Sequence, residues 1–280
     1  MLLRALLLAL GVCSSHTFSA KRGLSEAQCC SADVYCADLA SAPFSWAYSW
    51  GLAPPASCPG AAHFEPMFWG ARSVANDSLL FTGSATHVLG CVFRAGGAGA
   101  RARRCFISPF NQPPLFSRFN EPNGKDQSNL TPQQAAALWP TVARAAQAAG
   151  LKLVAPVPSG TDTAWLDAFF AACGGCEAEV DVVALHPYEC SVAGLNKSLG
   201  AWAKFGKPLW VTEFNCGDGA ANSTAAQHLQ FMRAALPFLD GDARVQRYAW
   251  MSGRDKKIPG AALFDGPGGQ LTELGRFYIS

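Results

Sequence analysis

Two glutamates follow apolar, strand-like segments and could act as a catalytic pair. Glu121 lies in residues 119–123 (FNEPN), and Glu213 lies near the end of residues 209–214 (LWVTEF). Hydrolysis of a glycosidic bond with retention needs one carboxyl group to protonate the leaving oxygen and a second, about 5 to 5.5 Å away, to attack the anomeric carbon. The alternative for any glutamate is a solvated loop residue or an ion-pair partner. The strand-end contexts favour the catalytic interpretation.

Polar and aromatic residues near other predicted strand ends could bind a sugar. Asn120 could hydrogen-bond a sugar 2-hydroxyl group. His186 could orient a carboxylate or contact a sugar hydroxyl, although a satisfied histidine at a strand end is the alternative. Four aromatic residues are candidates to stack on pyranose rings, with core packing as the alternative. They are Trp50, Trp69, Tyr188 and Trp250.

These residues need a scaffold, and the chain predicts one in which short β-branched and aromatic segments alternate with alanine-rich helical segments. The strands are predicted at residues 22–24, 44–50, 64–69, 86–90, 152–156, 181–186, 208–213 and 245–250. The helices are predicted at residues 131–149, 163–173, 192–205, 223–238 and 272–278. The pattern predicts a single α/β domain, a (β/α)8 TIM barrel, with the candidate residues on its catalytic face. The rival, a doubly wound sheet, lacks a glycine-rich βα turn.

Seven ordered motifs link the chain to a known family. It resembles glycoside hydrolase family 128, the alkali-sensitive-linkage-protein-like β-1,3-glucanase domain. The resemblance implies a (β/α)8 barrel and retaining cleavage of β-1,3-glucan, with Glu121 as acid/base and Glu213 as nucleophile. We expect no cofactor and no metal ion. The motifs are residues 21–24 (KRGL), 45–51 (SWAYSWG), 64–70 (FEPMFWG), 119–123 (FNEPN), 183–186 (VALH), 210–214 (WVTEF) and 248–250 (YAW).

Residues 91–118 do not fit this family pattern. They interrupt the predicted fourth strand just before Glu121, and they contain five arginines, no acidic residue and a glycine-rich run. The run lacks the spacing of a phosphate-binding loop. A buried strand has no room for such an insertion without a substitute strand. We interpret the segment as a retained intron or gene-model error, with a genuine loop that restricts the cleft as the alternative.

The first residues predict export. Residues 1–20 combine one arginine, a short apolar run and small polar residues, as in a secretory signal peptide, which leaves residues 21–280 as the catalytic domain. Four Asn-X-Ser/Thr sequons agree with a secreted glycoprotein of the extracellular space or cell wall. They lie at Asn76, Asn129, Asn196 and Asn222. We expect a monomer with no membrane contact after signal cleavage.

The cysteines and the charge distribution indicate which disulfides and which binding partners to expect. Disulfides persist in secreted proteins. Cys190 and Cys216 are predicted to form one, because both follow strand ends that would be neighbours. Cys173 and Cys176 suit a disulfide or a local loop bridge better than zinc, because no second C-x-x-C pair exists. The net charge of +2 comes from residues 91–118, so a nucleic-acid surface is not expected.

Two function classes follow. The first is a secreted retaining glycoside hydrolase that acts on β-1,3-glucan. The second is a non-hydrolytic β-glucan-binding cell-wall protein, in which the 91–118 insertion displaces the acid/base Glu121. Other hydrolase classes are disfavoured, because the sequence has no H-E-x-x-H and no G-x-S-x-G motif.

Overall fold

Parallel strands alternate with helices along the chain. The computed structural model describes residues 18–25, 31–51, 58, 63–75, 115–116, 119–148, 150–217, 223–254, 258 and 260–280. The strands are β1 (Arg22–Ser25), β2 (Trp46–Tyr48), β3 (His63–Phe64), β4 (Leu115–Phe116), β5 (Lys152–Leu153), β6 (Val183–Leu185), β7 (Leu209–Phe214), β8 (Val245–Trp250), β9 (Phe264–Asp265) and β10 (Gln270–Leu271). The helices are α1 (Ala32–Ala40), α2 (Ala71–Ala75), α3 (Pro132–Ala148), α4 (Ala164–Ala172), α5 (Val192–Trp202), α6 (Ala225–Gly241) and α7 (Glu273–Tyr278), with short 3-10 turns at Cys176–Ala178 and Ala203–Phe205.

Six strands form one parallel sheet in the order β3-β2-β1-β8-β7-β6. The first and eighth strands are therefore neighbours. Strands β4 and β5 pair in parallel as a separate ladder, and a bridge between Val154 and Val182 connects the end of β5 to β6. A short antiparallel hairpin, β9 and β10, precedes the last helix. This arrangement confirms the predicted α/β class with parallel strands.

Seven of the eight predicted strands overlap β1, β2, β3, β5, β6, β7 and β8, although β3 and β5 are only two residues long. The strand predicted at 86–90 and the leader up to residue 17 lie outside the described residues. Strand β4, which pairs with β5, lies inside the segment predicted to be an insertion. The last part of that segment therefore contributes to the sheet, and residues 91–114 lie outside the described part of the chain.

The helix that follows the Glu121 loop begins as its sequence predicts. Thr131 Oγ1 accepts a hydrogen bond from the backbone N–H of Gln134 at 3.1 Å, and Gln134 Oε1 accepts one from the N–H of Thr131 at 2.8 Å. This reciprocal pair satisfies two N–H groups at the helix start. Pro132 is the first helical residue, where its missing N–H costs nothing.

Both faces of the parallel strands are buried. The outward face packs against the helices in the main core, which includes Trp139 and Trp202. The inward face forms a second cluster built from alternate strand residues. Its members are Trp46, Tyr48, Met67, Val154, Val157, Val182, Ala184, Trp210 and Ala249.

A buried ion pair lies at the edge of this inner cluster. Arg247, in β8, donates a hydrogen bond to the carboxylate of Glu65. The guanidinium carbon lies 4.6 Å from the ring centre of Trp210 and 5.7 Å from that of Trp46. The indole faces stabilise the cation while the carboxylate neutralises it. The pair therefore connects β8 to the segment after β3.

None of the helices in the described ranges is long and apolar enough to cross a membrane.

We predict that Arg247→Met destabilises the protein by about 3–5 kcal/mol, because it removes the guanidinium that neutralises the buried Glu65 carboxylate. The matched control is Lys204→Met, which breaks the exposed pair with Asp167, whose side chains are 46% and 47% accessible. That control should cost about 1 kcal/mol or less. Denaturant unfolding measures both, and similar losses for the two variants would contradict the proposed importance of the buried pair.

Candidate active site

Two strand ends bring the predicted glutamates together. Glu213 is the fifth residue of β7, a strand buried along its whole length. Glu121 follows Asn120, which forms a parallel bridge with Val157, and the Glu121 N–H donates to the Val157 carbonyl at 2.8 Å. The side chains of Glu121 and Glu213 are 11% and 5% accessible. Both carboxyl groups therefore lie in a largely desolvated site.

His186, fully buried just after β6, lies between the two carboxyl groups. Its Nδ1 is 2.9 Å from Glu121 Oε1 and within hydrogen-bond geometry, while its Nε2 is 3.4 Å from Glu213 Oε1. One oxygen of each glutamate and one ring nitrogen all lie within 4.8 Å of one another. The predicted pair is thus assembled around a single imidazole.

Glu213 accepts hydrogen bonds at both of its oxygens. The indole N–H of Trp50 donates to Oε1 at 3.0 Å, and the Tyr48 hydroxyl shares its single proton between this oxygen, at 3.2 Å, and the Thr212 carbonyl, at 2.9 Å. Tyr188 donates its hydroxyl to Oε2 at 2.7 Å. Because every one of these groups donates, they stabilise the ionised carboxylate and fix its orientation.

The Tyr188 phenol is held in its protonated form. Burial raises the pKa of Tyr188 well above its ordinary value of 10.0, and the negative charge of Glu213 together with their hydrogen bond raises this pKa further. The phenol therefore remains a donor across the neutral and mildly alkaline range.

Two site residues have unusual backbone conformations. Trp50 has φ 53° and Glu121 has φ 41°, and Asn129 is the third non-glycine residue with positive φ in the described ranges. Side chains with a Cβ rarely adopt this region, and such conformations concentrate at functional sites. Two of these three residues, Trp50 and Glu121, contribute side chains to the cluster around Glu213. Their unusual backbone conformations therefore direct these side chains towards the site.

Asn120 and Trp69 lie next to this cluster. The N–H of Asn120 donates to the carbonyl of Trp69 at 3.1 Å, which joins the segments after β4 and β3. The Asn120 side chain is buried and donates to Gln127 at 3.3 Å, while its Oδ1 has no partner among the described residues. Trp69 is 36% accessible, the exposed large hydrophobic residue of the described ranges.

Trp250 does not lie on this face, and its prediction as a sugar-stacking residue is wrong. It has no accessible surface, its indole N–H donates to the Ala261 carbonyl at 2.8 Å, and its ring lies edge-on to Phe214 at 5.1 Å. The reason is the two-residue alternation of strands. Ala249 faces the inner cluster, so Trp250 faces the helices.

Sequence reasoning missed Tyr48. This tyrosine lies two residues before Trp50 and two after Trp46, and all three belong to or pack on the inner cluster. The alternation along β2 carried the signal, because residues two apart share one face of a strand. Tyr48 should therefore have been predicted together with Trp50.

The predicted disulfides are present. Cys190 and Cys216 are bonded, which joins the loop after β6 to the end of β7, and Cys173 forms a local bridge with Cys176. A third disulfide joins Cys36 to Cys58. The remaining cysteines lie outside the described residues.

A cluster of two carboxylates and one imidazole could also hold a metal ion. Among the described residues, Glu121, His186 and Glu213 are the group whose donor atoms lie close enough together. Tyr48, Trp50 and Tyr188 already donate hydrogen bonds to both oxygens of Glu213. The arrangement can therefore serve acid–base and nucleophilic chemistry.

Comparisons with known proteins agree with this geometry. A family profile described as glycosyl hydrolase catalytic core matches residues 25–278. The chain is 30% identical over 244 residues to alkali-sensitive linkage protein 1 of Schizosaccharomyces pombe (strain 972 / ATCC 24843), an alignment that covers 84% of this chain and 40% of that protein. The chain thus spans less than half the length of this relative.

Two solved structures are similar in fold and sequence. A GH128 (subgroup II) endo-β-1,3-glucanase from Sorangium cellulosum is 32% identical, with a TM-score of 0.69 and coverage of 93% of this chain and 98% of that one. A GH128 (subgroup I) endo-β-1,3-glucanase from Amycolatopsis mediterranei, a mutant in complex with laminarihexaose, is 25% identical, with a TM-score of 0.67 and coverage of 93% and 98%. The resemblance found in the sequence motifs is confirmed.

We predict that Glu213→Gln lowers the pKa of Tyr188, because it removes the charge that disfavours the phenolate while burial persists. An ultraviolet difference titration above pH 9 should show one tyrosine ionising at lower pH in the variant. The control is the same substitution in a Tyr188→Phe background, where this component should vanish. An identical titration with and without Glu213 would contradict the contact.

Proposed function

Because the chain belongs to the glycosyl hydrolase catalytic core family, we propose that it is a retaining glycoside hydrolase that cleaves β-1,3-glucan. The observation that carries this proposal is the buried pair Glu121 and Glu213, with oxygens within 4.8 Å of each other. Retaining enzymes separate their carboxyl groups by about 5–5.5 Å, whereas inverting enzymes leave about 6.5–9.5 Å for a water molecule. The spacing supports the retaining alternative.

In the first step, Glu213 is the nucleophile. Its carboxylate attacks the anomeric carbon while Glu121 gives a proton to the departing glycosidic oxygen, so the carbon–oxygen bond breaks and a glycosyl ester forms. The donors from Tyr48, Trp50 and Tyr188 support this assignment, because they stabilise an ionised carboxylate in one orientation. Glu121 receives no such set of donors in the described residues, and its partner is His186.

In the second step, Glu121 is the base. It takes a proton from a water molecule, which attacks the anomeric carbon, breaks the ester to Glu213 and releases the sugar with its original configuration. His186 contacts Glu121 at 2.9 Å and lies beside Glu213, so we assign it to holding the two carboxyl groups at their working separation.

The sugar contacts are assigned to Asn120 and Trp69. The buried Oδ1 of Asn120 lacks a protein partner in the described ranges and could accept a hydrogen bond from a substrate 2-hydroxyl. The backbone carbonyl of Trp69 accepts a hydrogen bond from the Asn120 N–H, and its exposed indole offers a flat apolar face for a pyranose ring. β-1,3-Glucan is the proposed polymer, because the similar bacterial enzymes are endo-β-1,3-glucanases and one was solved with laminarihexaose.

We also propose that the parallel strands form a closed (β/α)8 barrel. Its support is the adjacency of β1 and β8, the bridge between Val154 and Val182, and the hydrogen bond from Asn120 to Trp69. The leader sequence, the sequons and the disulfides support a protein that acts outside the cell or in its wall.

The alternative function is glucan binding without hydrolysis. The observation that favours it is the arginine-rich segment 91–118 directly before Glu121, which could displace the acid/base. A reducing-sugar assay on laminarin beside a pull-down on insoluble β-1,3-glucan separates the two functions. Binding without turnover would select the alternative.

We predict that Glu213→Gln abolishes turnover and that Glu121→Gln lowers kcat on laminarin by about 10² to 10⁴-fold, with glucan binding retained. Azide should restore turnover of an activated glucoside by Glu213→Ala and give the α-azide, because azide then attacks from the face of the missing nucleophile. An unchanged rate in either glutamine variant would remove that residue from the mechanism.

We predict opposite effects for two tryptophans. Trp69→Ala should raise KM for laminari-oligosaccharides about tenfold, equivalent to about 1.4 kcal/mol, with little change in stability. Trp250→Ala should cost about 3–5 kcal/mol of folding free energy, because its ring fills the main core. Kinetics and denaturant unfolding on both variants test the pair, and an unaltered KM for Trp69→Ala would remove it from the binding surface.

A further inference from the structure

A hydrogen bond and a disulfide connect the loop after β6 to the end of β7. One is the hydrogen bond from the Tyr188 hydroxyl to Glu213 Oε2 at 2.7 Å. The other is the disulfide between Cys190 and Cys216. A single residue separates Tyr188 from Cys190, and two residues separate Glu213 from Cys216. The hydrogen bond and the disulfide therefore close one small ring.

The Cys216 end of this ring is anchored to the body of the protein. Cys216 is buried, and its N–H donates to Nδ1 of His228, a buried residue of α6, at 3.3 Å. The Asn215 side chain donates to the carbonyl of Met251, which follows β8, at 2.7 Å. This half of the ring cannot move without disturbing α6 and β8.

The Tyr188 end is held by local contacts. The N–H of Tyr188 donates to the His186 carbonyl at 3.2 Å, and the N–H of Glu189 donates to the Pro187 carbonyl at 2.8 Å. Both bonds close turns inside the loop, and the pairing of β6 with β7 before it extends to Leu185 and Val211. Cys190 is exposed, so the disulfide is the covalent tie between this loop and the strand that carries Glu213.

We propose that the Cys190–Cys216 disulfide is a catalytic positioning device, which clamps the loop after β6 so that Tyr188 holds the nucleophile Glu213. This inference rests on the proposed function. Tyr48 and Trp50 both donate to Oε1, so Tyr188 is the described donor on Oε2. Without it, the carboxylate can rotate about its last bond, and a displacement of about 1 Å can cost on the order of a hundredfold in rate.

The physical reason for a disulfide here is local concentration. The disulfide ties the loop a few residues from the Tyr188–Glu213 hydrogen bond. The covalent bond has already reduced the conformational entropy of the loop, so the Tyr188 hydroxyl stays close to Glu213. The clamp should therefore act on the chemical step.

The test is a mutant cycle on laminarin hydrolysis. The variants are Tyr188→Phe, the double variant Cys190→Ala/Cys216→Ala, and the triple variant that combines them. We expect kcat to fall about tenfold or more in the first two with KM nearly unchanged, and the triple variant to lose little more than either. If the losses of the first two variants multiply in the triple variant, the disulfide acts independently of Tyr188, and the proposal is overturned.

The chain provides a matched control. The double variant Cys173→Ala/Cys176→Ala removes a disulfide that joins two residues of one turn after α4. It should leave kcat unchanged even if the melting temperature falls. If both disulfide variants lower kcat equally, or if Cys190→Ala/Cys216→Ala lowers only stability, the bridge is structural and the proposal fails.

Two further measurements keep the proposal testable. If Cys190→Ala/Cys216→Ala does not fold, reductant can be added to the folded protein, since Cys190 is exposed. Activity should then fall in the wild type and not further in Tyr188→Phe, and an equal fall in both would contradict the clamp. If the wild type hydrolyses no glucan, the proposed function fails but the clamp is still measured, because opening the disulfide should lower the Tyr188 pKa in an ultraviolet titration.

Discussion

The burial of two carboxyl groups side by side is the constraint on which the site depends. Ionised groups are costly to remove from water unless donors replace the lost hydration. Here the donors come from several parts of the fold, with Tyr48 on β2, Trp50 after it and Tyr188 after β6. The parallel sheet delivers all of them because its strand ends meet at one edge. The loops after β2 and β6 and the strand β7 must therefore keep fixed relative positions.

The inner cluster supplies that fixed frame. Trp46, Tyr48 and Trp210 fill the space inside the sheet below Glu213, and the ion pair of Glu65 and Arg247 connects this layer to the segment after β3. Stiff aromatic rings leave little room for rearrangement, since interiors are packed as densely as organic crystals. The positive φ angles at Trp50 and Glu121 persist because this surrounding packing determines the backbone.

The segment before Glu121 places a further demand on this frame. Glu121 belongs to the ladder that continues β4, through the bridge between Asn120 and Val157. Strand β4 itself lies at the end of residues 91–118, so the arginine-rich segment pairs with β5 only a few residues before Glu121. The contacts of Asn120 to Trp69 and Val157 explain how Glu121 keeps its place beside His186.

The sequence by itself determined the alternation of strands and helices, the two glutamates, His186 and the Cys190–Cys216 pairing. Each of these residues lies in or shortly after a strand-like segment that can be recognised in the sequence. Only the tertiary structure decided the direction of the aromatic side chains. Trp50 and Trp250 both stand at strand ends, yet one reaches Glu213 and the other fills the core. A one-residue difference in strand register reverses the face of a side chain, and strand limits cannot be read from sequence to that precision. The pairing of Glu65 with Arg247 likewise needed the tertiary structure, because it joins residues 182 positions apart.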